Sequence, residues 1–130
     1  MRMTGQRRAI VAALQRDRSH PTADAIYHVV KAELPHISLG TVYRNLKLLS
    51  HAGHILEIEI AGGPNRYDFR TEHHYHFHCE GCGRVIDVDL PYQHHIDEDL
   101  SAMGFAVSRH AIQFYGRCSD CQLRPARQAN

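Results

Sequence analysis

Four cysteines stand in two pairs, Cys79-x-x-Cys82 and Cys118-x-x-Cys121, and the run His73-His74-Tyr75-His76-Phe77-His78 abuts the first pair. A Cys-x-x-Cys turn aims two thiolates at one ion, and two such turns complete a tetrahedral four-sulfur site suited to Zn(II). Four thiolates fill that ion, so the histidines are not spare ligands for it. They point to a second, chemically different metal site. One closed structural site beside one adjustable site suggests a sensor.

The competing reading of the cysteines is a pair of disulfides, or buried thiols that merely pack. The N-terminal stretch MRMTGQRRAIVAAL is basic but lacks the long apolar run and small-residue cleavage site of a signal peptide. No apolar stretch approaches the length needed to cross a bilayer. A cytoplasmic location with no membrane partner is expected, and paired spacing in that compartment favours zinc over disulfides.

Charge divides the 130 residues into two parts. Residues 1–52 carry eight Lys/Arg and three Asp/Glu, a balance of +5, whereas the remainder carries seven and eleven, a balance of −4. A near-neutral total thus hides a basic front half suited to a polyanion and an acidic, histidine-rich back half suited to cations. Two domains are expected, 1–69 and 70–130.

The front half reads as three short helices and a hairpin. Thr4 is a plausible N-cap for a helix with Ile10, Val11 and Leu14 on its apolar side. Thr22 caps a second, with Asp24 in its first turn, Ile26, Val29 and Val30 inward, and Pro35 as its stop. Ser38 caps a third, with Val42, Leu46 and Leu49 inward and Gly53 as terminator. The strictly alternating ILEIEI (55–60), the turn Ala61-Gly62-Gly63-Pro64-Asn65 and the strand RYDF follow. Three helices and a two-stranded wing make a winged helix-turn-helix.

In that arrangement the third helix lies in the major groove of double-stranded DNA. Its outward face is expected to offer Thr41, Tyr43, Arg44, Asn45 and Lys47, with Tyr43 on a thymine methyl and Arg44 on a base edge or phosphate. A solvated helix face is the alternative; helix order, wing and charge bias together favour DNA. A balance of only +5 implies weak binding by one copy, so a homodimer reading two half-sites of an operator is expected.

The back half reads as a small sheet with a helix, giving an α+β chain. Alternation puts His74, His76 and His78 on one strand face and Tyr75, Phe77 and Cys79 on the other. Asp87 and Asp89 share one face of the next strand, and Ile86, Val88 and Leu90 the opposite face. Ile96, Leu100 and Met103 recur at helical spacing, and a third strand is expected from about Phe105 to Tyr115. Zinc would staple this end to the turn at Cys79–Cys82, and in so small a core the metal is expected to supply much of the folding free energy.

Over nearly its whole length the chain resembles the Fur family of metal-dependent bacterial repressors. The likeness is carried by His20-Pro21-Thr22-Ala23-Asp24-Ala25-Ile26-Tyr27, Thr41-Val42-Tyr43-Arg44-Asn45-Leu46, Arg66-Tyr67-Asp68-Phe69, His73-His74-Tyr75-His76 and both cysteine pairs. The resemblance implies a homodimer with an N-terminal winged helix, a C-terminal dimerisation domain, and metal at the hinge that closes the DNA-binding domains onto an operator. It is closest to the family's peroxide-sensing branch. Matched residue by residue, the regulatory ligands implied are His20, Asp68, His74, His76 and Asp87. Three imidazoles and two carboxylates suit Fe(II) or Mn(II), whereas softer ions prefer thiolate-rich sites.

Asp87 is the pivotal position, because the iron-uptake branch usually carries glutamate there. The shorter carboxylate is expected to leave iron open to peroxide, with His20 and His74 as the implied expendable ligands whose oxidation releases the DNA. Plain iron sensing is the alternative. A zinc-uptake sensor would add a cysteine to the regulatory site, and all four are committed; a nickel sensor would use a histidine-rich site. His73, His94, His95 and His110 form a candidate auxiliary site, against solvated or hydrogen-bonded histidines. Relatives usually carry an extra helix ahead of the position where this chain starts, and Gly5 stands where proline is common. Two rivals lie outside gene regulation. A zinc hydrolase would need an acid or base beside an open pocket, and nothing marks one, so no enzyme is expected. A metal-storage module would explain the histidines but not the winged helix.

Overall fold

In the computed structural model, which describes residues 1–123, three side-chain hydroxyls set where the first helices begin. Thr4 accepts the Arg7 backbone N–H at 3.2 Å, Thr22 that of Ala25 at 3.3 Å, and Ser38 that of Thr41 at 3.1 Å. Each satisfies a donor that the first helical turn leaves without an internal acceptor, worth about 0.5–2 kcal/mol. They open α1 (Gly5–Arg16), α2 (Ala23–Glu33) and α3 (Leu39–His51). Pro35 follows the C-cap Leu34 of α2. Gly53 ends α3 at φ +81°, donating to Ser50 O at 3.1 Å while His54 N–H reaches Leu49 O at 3.0 Å. This is a Schellman cap, and its left-handed residue is cheap only for glycine.

The chain separates into two compact units, Met1–Thr71 and a second beginning at Glu72. In the first, the three helices bury Ile10, Leu14, Ile26, Val30, Val42, Leu46 and Leu49 in one core with Ile55 and Tyr67. Val11 is half-buried against it. Val29 departs from expectation, being 51% exposed. The buried stripe of α2 is Ala23, Ile26 and Val30, and Val29 lies roughly a quarter-turn round the helix from it. Strands β1 (Leu56–Ile58) and β2 (Arg66–Asp68) pair antiparallel, Leu56 opposite Asp68. Asn65 clamps the turn between them, accepting Ile60 N–H at 3.3 Å and donating to Glu57 Oε2 at 2.9 Å. Three helices followed by this wing form a winged helix-turn-helix.

The second unit contains β3 (Tyr75–Cys79), β4 (Val85–Val88), α4 (His94–Ala102), β5 (Gln113–Gly116) and α5 (Ser119–Gln122). Strand order is β4-β3-β5, with β4 antiparallel and β5 parallel to the central β3. The last strand is much shorter than the expected 105–115. Near its expected middle, His110 N–H donates to the Tyr92 hydroxyl at 2.9 Å, a side-chain tie in place of a ladder bond. Helix α4 has no fully buried residue, and Met103 just beyond it is 70% exposed. The unit's buried cluster is made of Cys79, Cys118 and Cys121, with Phe77 and Ile86 against it. A core built from sulfur ligand candidates would tie folding to any metal they hold.

Truncating Leu46 to alanine is expected to destabilise the first unit by about 2–5 kcal/mol through the cavity left. Gly53→Ala should cost about 1–2 kcal/mol, because a Cβ enters the left-handed region at the α3 cap. Urea denaturation followed by helical circular dichroism checks both; an unchanged midpoint for Leu46→Ala would contradict the core described.

Candidate metal centres

The four-sulfur centre is built where β3 and β5 end. Parallel pairing sets Cys79 opposite Gly116, and Glu80 N–H donates to Gly116 O at 2.6 Å, which brings the second cysteine turn beside the first. Cys79 closes its own turn, its N–H on Arg84 O and its carbonyl accepting Gly83 N–H, both at 2.9 Å. Gly81 is required by close approach: a Cβ there would lie 3.0 Å from Cys121 Sγ. Backbone N–H groups of Cys82 and Cys118 point at Cys79 Sγ from 3.4 and 3.3 Å.

The Sγ atoms of Cys79, Cys82, Cys118 and Cys121 all lie within 4.8 Å of one another. Cys79 and Cys121 are 3.5 Å apart, and Cys82 and Cys118 are 3.9 Å apart. A disulfide needs about 2.05 Å. A tetrahedral Zn(II) with bonds of about 2.3 Å needs sulfur–sulfur edges of about 3.8 Å. The donor set therefore fits zinc and not two disulfides. Donation from the backbone of Cys118 and then Cys82 pulls the Cys79 thiol down to about 5, so it ionises readily. The Cys79 sulfur, and then burial, push Cys121 up to about 12. Arg84, a residue the sequence reading passed over, donates from Nε to Cys82 Sγ at 3.4 Å and from Nη2 to Cys118 Sγ at 3.3 Å.

Of the expected regulatory ligands, His20 and Asp68 pair within the first unit, Nε2 to Oδ2 at 3.2 Å, both buried. His20 holds φ +62°, a left-handed conformation costing a non-glycine residue about 1–2 kcal/mol. The base of the wing holds it there: Arg66 Nη1 donates to His20 O at 2.9 Å, and Tyr67 N–H to Pro21 O at 3.0 Å. One residue further along that strand is Asp68. Backbone strain that the surroundings hold in place clusters at functional sites.

In the second unit, register sets His76 opposite Asp87 on β3 and β4. His74 Nε2 lies 2.8 Å and His76 Nε2 3.4 Å from Asp87 Oδ1, and the two imidazoles are 4.4 Å apart. His74 Nδ1 donates to Glu72 O at 2.5 Å, which fixes the tautomer and turns Nε2 inward. Cis ligands on a metal with bonds of about 2.1 Å lie about 3 Å apart, close to the spacing within each group.

The candidate auxiliary histidines do not converge: His73, His94, His95 and His110 form no ligand group among the described residues. His110 is committed elsewhere, Nδ1 to Asp97 Oδ1 at 2.7 Å and Nε2 to the Tyr75 hydroxyl at 2.8 Å, and it stacks on Tyr92. His94 and His73 each face the Tyr92 ring.

On α3, Tyr43, Arg44 and Lys47 are exposed and Thr41 half-buried. Asn45 is not on the outward face: it is 7% exposed. Its Oδ1 accepts Arg7 Nε at 3.0 Å and its Nδ2 donates to Thr41 O at 3.0 Å, so α1 takes up the side chain. No helix among the described residues is long and apolar enough to cross a membrane.

Cys118→Ser is expected to lose the zinc complement and melt the second unit, read by metal analysis and near-ultraviolet circular dichroism. Gly81→Ala should weaken zinc retention against a chelator with all four sulfurs present, because its Cβ presses on Cys121. A full complement in Cys118→Ser would contradict the four-thiolate site.

The ferric uptake regulator family model matches residues 1–115. The peroxide-responsive repressor PerR of Staphylococcus aureus (strain USA300) is 37% identical over 123 residues, covering 94% of this chain and 83% of that protein. The solved Helicobacter pylori ferric uptake regulator Fur is similar with TM-score 0.77 at 25% identity, covering 97% of this chain and 85% of that one. For the Campylobacter jejuni peroxide stress regulator the values are TM-score 0.74 and 32% identity, with 89% and 88% covered. A zinc-bound manganese uptake regulator matches at TM-score 0.64 and 33% identity, covering 91% of each chain. The chain belongs to the ferric uptake regulator family.

Proposed function

We propose that this chain is a metal-dependent transcriptional repressor that responds to peroxide. Regulators of this family bind DNA and are typically dimeric. The observation that carries the reading is the chemistry of the paired ligands. His20 with Asp68, and His74 and His76 with Asp87, are imidazole–carboxylate groups at ligand spacing, with no sulfur among them. We take all five as ligands of one regulatory ion, Fe(II) or Mn(II), acting as corepressor in the cytoplasm. Cys79, Cys82, Cys118 and Cys121 hold a separate Zn(II), which supports the fold and takes no part in sensing.

Each residue has a defined task in this reading. Asp68 and Asp87 supply negative charge to a hard cation, and the histidines supply neutral nitrogen donors. Glu72 O holds the His74 tautomer, and Arg66 holds the His20 backbone. An ion bound by all five favours one arrangement of the chain, and that preference couples metal to DNA affinity. Fe(II) held by these five residues would supply the one-electron chemistry that splits peroxide, and His20 or His74 would gain one oxygen while the other leaves as water.

A homodimer on double-stranded operator DNA completes the proposal, with Tyr43, Arg44 and Lys47 facing the major groove and Thr41 at the edge of that face. Asn45 serves from within, bracing Arg7 against α3. Arg44→Ala is expected to weaken operator binding by about 1–3 kcal/mol if its contact is bidentate to a base. A mobility-shift titration reads this, and unchanged affinity would mean that another face meets DNA.

The sensing step is tested on the Fe(II) and Mn(II) proteins with operator DNA. Brief peroxide exposure should release the Fe(II) protein and leave the Mn(II) protein bound. Mass spectrometry should find one added oxygen on His20 or His74. Asp87→Glu should keep metal-dependent binding and blunt the peroxide response. Were the Fe(II) protein to stay on DNA with both histidines intact, iron-uptake regulation without peroxide chemistry would replace this reading, in line with the similarity to the Helicobacter pylori regulator.

A further inference from the structure

We propose that Arg84 shields the cysteine zinc centre from oxidation, its guanidinium capping the sulfurs of Cys82 and Cys118 so that they are poor nucleophiles toward peroxide. The proposal rests on the reading of the four cysteines as a zinc site. Cys79, Cys118 and Cys121 are buried, whereas Cys82 is exposed. An oxidant arriving from solvent therefore meets Cys82 first. Arg84 stands beside that sulfur and donates to it, with Nε 3.4 Å from Cys82 Sγ and Nη2 3.3 Å from Cys118 Sγ. One planar cation thus spans a sulfur from each Cys-x-x-Cys turn, a geometry that suits the fork of arginine and not the point charge of lysine.

Asp120 steers the fork. Its Oδ2 accepts the same Nη2 at 3.2 Å, from the helix turn that follows Cys118. This ion pair is exposed at both ends and adds little stability, so its value is orientation. Arg84 leaves zinc its four ligands and reaches sulfur only through N–H donors, which makes it a positioning and shielding residue.

The chemistry it opposes is balanced. Two thiolates, one hydrogen peroxide and two protons give one disulfide and two waters. Two electrons pass from sulfur to the O–O bond, which breaks, and the zinc is released. Thiolate attack on peroxide is the step that N–H···S donation slows, because it draws density from the attacking lone pair. Thiolate nucleophilicity falls with falling sulfur basicity, with a Brønsted slope of about 0.4–0.5 in attack on disulfides, and donation from Arg84 acts in the same sense. In a repressor whose signal is peroxide, such a shield would confine oxidation to the histidine site and spare the scaffold.

The test uses the full-length zinc-loaded protein without added iron, hydrogen peroxide as oxidant and a chromogenic chelator as the zinc probe. Arg84→Ala is expected to release zinc severalfold faster than wild type, with disulfides in step by mass spectrometry. Arg84→Gln, which keeps a neutral donor without the charge, should also be faster. Chelator without peroxide gives the background rate for each variant. Should Arg84→Ala fail to load zinc, Arg84→Gln carries the comparison. Rates equal to wild type in whichever variants load zinc overturn the proposal while leaving the zinc reading intact. A wild-type protein with no zinc overturns both, and metal analysis before peroxide tells the two failures apart.

Discussion

Four sulfur atoms within 4.8 Å of one another repel as soon as they ionise, and a cation at their centre relieves the conflict. At an effective dielectric constant of about 20, two unit charges 4 Å apart repel by about 4 kcal/mol. Backbone N–H donation pulls the Cys79 thiol down to about 5, while the Cys79 sulfur, and then burial, push Cys121 up to about 12. Much in the second unit follows from that conflict. The glycine at position 81, the parallel pairing that sets Gly116 beside Cys79, and the short turn of α5 all serve to hold sulfur against sulfur. Because Cys79, Cys118 and Cys121 are also the buried cluster of the unit, the scaffold and the candidate metal site share atoms.

That arrangement leaves the histidine–carboxylate groups to a different chemistry. Thiolates satisfy a soft or borderline ion and close around it; nitrogen and carboxylate oxygen accept harder ions and exchange them more readily. Both chemistries share β3: Cys79 ends the strand that begins at Tyr75, between His74 and His76. Two ions of different softness can then be sorted by ligand type alone, without two folds.

Much of the first unit was legible because its signals are local. A hydroxyl three residues before the N–H it caps, an apolar residue every third or fourth position, and a glycine after the last turn are written within one helix. The cysteine pairs were legible for the same reason, since each carries its geometry in its own spacing. What escaped depends on partners far along the chain. Asn45 sits at an apparently outward position, yet an arginine 38 residues earlier draws it inward. His110 seemed free for metal until Asp97 and Tyr75 claimed both its nitrogens. Val29 and Val30 are adjacent and chemically identical, and helical phase alone separates them. Arg84, two residues past Cys82, was visible in the sequence, but a lone basic residue on a turn is ordinarily solvated, and its direction toward sulfur is set by the fold.

The left-handed backbone at His20 carries a consequence for how this protein can change. Its carbonyl is held by Arg66, and Asp68 follows two residues later on the same strand. Drift at the base of the wing is therefore never confined to the wing. A lineage that altered positions 66–68 would disturb the backbone posture of His20 and the carboxylate paired with it, and would have to repair both at position 20.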